Sequence, residues 1–191
     1  MSSTNLDLAK RLQRLAASLL PADRLIGDFP DDEQDKIHAY IVLAHAEIET
    51  YLEGLGRDTV ERARRLSINS LCHPVMSRLI FLKIGISGKF ETVTPDIITS
   101  ACSYYETILE ANHGVVRRNV LRLFMPLGLT HRDFDDGLLS DLQAFGALRG
   151  GFAHTVSRVR QGVQPSEDRS RVERIVTGLA LLEQAINSLI V

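Results

Sequence analysis

Apolar residues recur along this chain at spacings of three and four, the period of one helix face, and almost nowhere at a spacing of two. Leu8, Leu12, Leu15 and Leu19 predict a first amphipathic helix over residues 4–19, with Thr4 or Asn5 as cap. Pro21 ends it or begins the connector, and Asp28-Phe29-Pro30-Asp31-Asp32 reads as a turn leading into a helix start. A second helix is expected over 32–53, with Ile37, Tyr40, Ile41, Ala44, Ile48, Tyr51 and Leu52 on a broad apolar face. Gly54 and Gly56 are expected to close it. Asp58 would cap a following helix bearing Val60, Ala63, Leu66, Ile68 and Leu71, which Pro74 breaks or kinks.

The run Val75 to Leu82 fits a helix or a strand by length, and the helical company it keeps favours helix. Residues 85–94 read as a loop. Thr94-Pro95-Asp96 is a helix start, with Ile98, Ala101, Tyr105, Ile108 and Leu109 facing inward and Asn112-His113-Gly114 closing the helix. A short helix over 116–125 precedes Pro126-Leu127-Gly128. Thr130 and Asp133 then open a helix that leads to Arg149. A last helix starts near Pro165 and carries Val172, Ile175, Val176, Leu179, Leu182, Ile186 and Leu189. The expected architecture is an all-α bundle of about five to eight helices. It forms one domain over 1–191, with residues 1–30 as N-terminal helix and connector and 31–191 as the core bundle.

Composition narrows the class. At 191 residues, 45% hydrophobic and 24% charged, the chain suits one ordinary globular domain. A net charge of −2 excludes a protein that holds long nucleic acid by a global basic excess, so such contact needs a local patch. Cys72 and Cys102 are too few for a disulfide scaffold or a zinc motif and suit a reducing cytosol. The polar N-terminus and the lack of a long apolar window predict a cytoplasmic protein with no membrane contact. No glycine-rich phosphate loop or nucleophile elbow is present.

Candidate chemistry gathers at Leu148-Arg149-Gly150-Gly151-Phe152-Ala153-His154. Arginine is always charged and offers a planar fork to a phosphate, and histidine can pass protons near neutral pH. Five positions on an ideal helix turn through about 140° away from each other, so the pair shares a face only if the backbone deforms. Gly150 and Gly151 make that deformation cheap, or simply cap the helix, with His154 then a buried histidine and Arg149 a solvated helix end. Arg117, Arg118 and Arg122 cluster on the short helix, and Arg158 and Arg160 follow the Arg-His element. These arginines are candidates for RNA contacts or solvated faces. His45 and Glu49, four apart, can share a metal, but no third and fourth ligand joins them at helical spacing, and no metal is expected. Glu47 or Glu49 is better suited to orient a histidine, or is a plain surface carboxylate. Asn112 and His113 either brace the site or cap their helix.

Arg149 to His154 resembles the R-x4-6-H signature of the HEPN superfamily. Asn112-His113-Gly114, then Asn119, Leu121 and Leu123, then Pro126-Leu127-Gly128 look like the branch called RiboL-PSP-HEPN, and so does the early helix His38 to Glu53. The resemblance covers roughly residues 35–187. It implies a helical bundle, a four-helix core with extra short helices, that dimerises with the Arg-His elements facing each other. It implies a metal-independent endoribonuclease with no cofactor, with Arg149 and His154 as the catalytic pair. The implied partners are RNA, a second copy, and a cognate antitoxin or an RNA-repair or phage-defence protein. Many members carry a polar residue directly after the arginine, where this chain has Gly150. Some members cut nothing and act as binding scaffolds.

Overall fold

A computed structural model describes residues 3–23, 29–67, 72–85, 93–154 and 164–190, with Ser3 and 150–154 described in their backbone alone. The described residues are all-α: α1 (Ser3–Leu19), α2 (Asp31–Leu66), α3 (Pro74–Ile84), α4 (Pro95–Glu110), α5 (Arg117–Phe124), α6 (Asp136–His154) and α7 (Pro165–Ser188), with short 3-10 turns at Met125–Leu127 and His131–Asp133. Most of the expected apolar positions are buried, whereas Leu66 is exposed and Ile68 and Leu71 lie outside the described residues. Leu8, Leu12 and Leu15 of α1, Ile37, Ile41, Ala44 and Ile48 of α2, and Ile175 and Leu179 of α7 are all buried. Val75 to Leu82 falls within α3, and no strand occurs among the described residues. No helix among them is long and apolar enough to cross a membrane.

Three boundaries differ from expectation. Gly54 and Gly56 do not close a helix, because α2 runs unbroken from Asp31 to Leu66. Glycine inside a helix costs only about 1 kcal/mol against alanine, which the buried residues on either side offset. Gly56 is there for space, since a Cβ would run into the hydroxyl of Tyr105, which donates to the Leu123 carbonyl at 2.9 Å. Pro74 does not break a helix; it sits in the first turn of α3, where its missing N–H costs nothing, and the His73 ring accepts from the Val75 N–H at 3.3 Å. The helix leading to Arg149 starts at Asp136 rather than at Thr130. Thr130 and Asp133 close a capping box on the 3-10 turn, and the Asp135 carboxylate accepts from the Leu138 N–H at 2.6 Å. Gly150 and Gly151 do not end α6, which stays helical to His154.

The chain folds into two compact units interleaved in sequence. The first comprises Met1–Tyr51, Gly114–Arg117 and Asp135–Leu181. Here α1 meets α2 through Arg11 and Glu47, α2 meets α6 through His45 and Phe145, and α6 meets α7 through Asp141 and Arg174. The second comprises Leu52–His113, Arg118–Phe134 and Leu182–Val191. In it α3 packs on α4 and on the turn at Met125–Leu127, and Tyr105, Phe124, Met76 and Leu79 are fully buried.

Candidate functional site

Arg149 sets the place to look. It lies near the C-terminal end of α6, one helical turn past Phe145, and both face α2. On α2, His45 and Glu49 are likewise one turn apart, so two stacked pairs oppose each other across the two helices. The His45 ring stacks on Phe145 with centroids 6.2 Å apart and planes 25° from parallel. Nη1 of Arg149 lies 3.4 Å from Nδ1 of His45 and 3.8 Å from Oε2 of Glu49. Glu49 is held in turn by the backbone N–H of Gly114, which donates to its Oε1. Gly114 has φ 106°, a conformation that favours glycine, and so turns the chain after α4 back onto α2.

A guanidinium only donates, so the 3.4 Å contact is a hydrogen bond when His45 accepts at Nδ1 and carries its proton on Nε2. His45 is 2% exposed. Burial, and after it the Arg149 charge, pushes its pKa down from 6.5 to about 4. Glu49 Oε2 stands 3.6 Å from the same nitrogen and favours the opposite, charged form. Burial and the guanidinium win, because a proton on Nδ1 would point at the donors of Arg149. His45 is therefore neutral at physiological pH.

The Arg149 side chain is 47% exposed. Only Nη1 is engaged among the described residues, and none of these occupies the edge formed by Nε and Nη2, which has the geometry to take two acceptor oxygens. His154 and Gly150 continue α6 in backbone, while their side-chain surroundings lie outside the described residues, as does Arg158 entirely. Among the described residues no group of three or more His, Cys, Asp or Glu can hold a metal ion.

The other expected site residues go elsewhere. Glu47 pairs with Arg11 at 2.9 Å, and it is Glu49 that reaches Arg149. Arg117 pairs with Asp136 at 3.4 Å. Arg118 and Arg122 are exposed, on one face of α5, and make no ion pair among the described residues. Asn112 is buried and donates to Glu53 at 3.0 Å, while its Oδ1 meets no hydrogen-bond donor among the described residues. His113 is exposed, and its carbonyl accepts from Asn119 at 2.9 Å. The residue that sequence reasoning missed is His45 as the partner of Arg149. Its spacing from Glu49 was visible; which side chain they would face was not. No protein-family model, curated protein or solved structure matches this chain.

Proposed function

We propose that this chain is a metal-independent endoribonuclease of the HEPN type that acts in the cytoplasm as a homodimer, with Arg149 and His154 of two protomers forming the site. The observation that carries the reading is Arg149 itself: among the described residues the arginine of the R-x4-H element is contacted at Nη1 alone, and its side chain is 47% exposed. A guanidinium fork suits a phosphodiester. The 2′-hydroxyl of RNA attacks the adjacent phosphorus, the 5′-oxygen of the next nucleotide leaves, and a 2′,3′-cyclic phosphate remains. The step needs a base to take the hydroxyl proton, an acid to give one to the leaving oxygen, and cations for the charge that builds on phosphorus. A single protomer has one His154. A two-fold pair has two, one for each proton transfer, with the two Arg149 side chains on the phosphate. Arg117, Arg118, Arg122 and Arg158 are the further side chains proposed to contact RNA phosphates.

A second reading has one residue in its favour. Gly150 follows Arg149 where many HEPN proteins carry a polar side chain, and a site lacking that group suits a dimeric scaffold that binds RNA, a nucleotide or a defence protein without cutting. Incubation of the parent and His154→Ala with total RNA in excess EDTA separates the two. Cleavage by the parent alone, leaving cyclic phosphate ends, is the expected result. RNA bound by both proteins and cut by neither favours the scaffold. Cleavage by a protein that sediments as a monomer defeats the two-protomer mechanism.

A further inference from the structure

A long arginine side chain that is half exposed has many rotamers, and holding it in one of them costs conformational entropy. At Arg149 the holding groups come from a different helix. His45 offers a bare ring nitrogen at 3.4 Å and Glu49 a carboxylate oxygen at 3.8 Å, both to the same Nη1. Each of these is fixed in turn. The Phe145 ring stacks on that of His45, and the Gly114 N–H fixes the Glu49 carboxylate. A histidine 2% exposed, placed with its acceptor nitrogen against a half-exposed cation, is costly as plain packing, since an aliphatic side chain would fill the space without a polar atom to satisfy.

We propose that His45 and Glu49 are positioning residues for Arg149: they hold Nη1 from α2 so that the Nε–Nη2 edge is presented, already oriented, to a phosphate of the substrate. This rests on the endoribonuclease reading above for its kinetic consequence but not for its geometry. Neither residue touches substrate. Each acts through the guanidinium, and the gain is preorganisation of a charge-stabilising group. The Gly114 contact makes that backbone N–H part of the same support.

The test compares His45→Asn with His45→Leu. Asparagine can place an oxygen where Nδ1 stands, and leucine cannot, whereas leucine fills the apolar space better. If His45 positions Arg149, single-turnover cleavage of a short RNA by His45→Leu and by Glu49→Gln falls by about 10²-fold in kcat with KM little changed. His45→Asn then keeps most of the parent rate. If His45 only packs, the order reverses: Leu keeps the rate, Asn loses it, and the proposal is overturned. Arg174→Gln serves as an arginine control and keeps the parent rate. Should the parent cleave no RNA, the endoribonuclease reading fails by itself, and imidazole 15N spectra of the same proteins decide the geometry. A bare Nδ1 in the parent, shifted by Arg149→Gln, supports the positioning pair. A protonated Nδ1, or no response to Arg149→Gln, overturns it.

Discussion

Two arginines of the first unit meet acids across helix pairs, and they do so in opposite ways. Arg174 of α7 grips Asp141 of α6 with Nε and Nη2, each at 2.8 Å, so its fork is fully occupied by the protein. Arg149 of α6 is touched at Nη1 only, by His45 and more distantly by Glu49, and its fork is left open among the described residues. Both side chains are about half exposed, so accessibility does not tell them apart. What differs is which edge is spent. A bidentate pair on an exposed surface satisfies itself and asks for nothing more. A guanidinium pinned at its far nitrogen, next to a buried histidine, is what the proposal above requires of a group that takes an acceptor from outside.

The comparison breaks most visibly in catalysis. Arg149→Ala should lower RNA cleavage by about 10²–10³-fold, the usual cost of removing a group that stabilises charge in the transition state. Arg174→Ala should leave the rate at the parent value in the same assay. Arg149→Lys sharpens the point: it keeps the charge and loses the fork, so its rate should fall between the parent and Arg149→Ala. Arg174→Lys again should change nothing in the rate.

Acid separates the two sites next. His45 has a folded pKa near 4 against an ordinary 6.5, so the unfolded chain binds a proton at this residue before the folded one does. Its contribution to stability is complete above about pH 6.5 and is lost as pH falls toward 4. Urea midpoints measured across that window should drop in the parent and drop less in His45→Leu. Arg174→Ala should follow the parent slope. The smallest effect is on stability at neutral pH, where Arg174→Ala should melt close to the parent, because an exposed pair in salt contributes little.

Much of the fold was legible because helix periodicity is local. The Leu8 to Leu19 stripe, the Thr94-Pro95 start and the long C-terminal stripe all became helices near the expected limits. The errors came from punctuation. Gly54 and Gly56 read as a stop, yet a stop needs a left-handed residue or a broken hydrogen-bond ladder, and neither glycine takes a positive φ. Gly56 answers to Tyr105, forty-nine positions away, a need that no window of sequence displays. Gly150 and Gly151 misled in the same manner.

At the site, Arg149 was legible from its spacing to His154, but its environment was not. The choice between Glu47 and Glu49 could have been made from the sequence. Positions four apart share a helix face, whereas positions two apart turn through about 160° away from each other, so only Glu49 can sit with His45. That His45 and Glu49 meet Arg149 depends on α6 packing against α2, and the apolar pattern says which faces are buried without saying against what.

The most direct test of the central claim, that Arg149 is held with an open fork for an RNA phosphate, is a side-chain NMR titration. Arginine Nε and Nη resonances of Arg149 and Arg174 would be followed as a short 2′-O-methyl RNA, which binds but cannot cyclise, is added to the protein. The account predicts that the Arg149 Nε and Nη2 signals shift and saturate while those of Arg174 stay in place. Signals of Arg149 that do not move while RNA binds, or that move no more than those of Arg174, would contradict it.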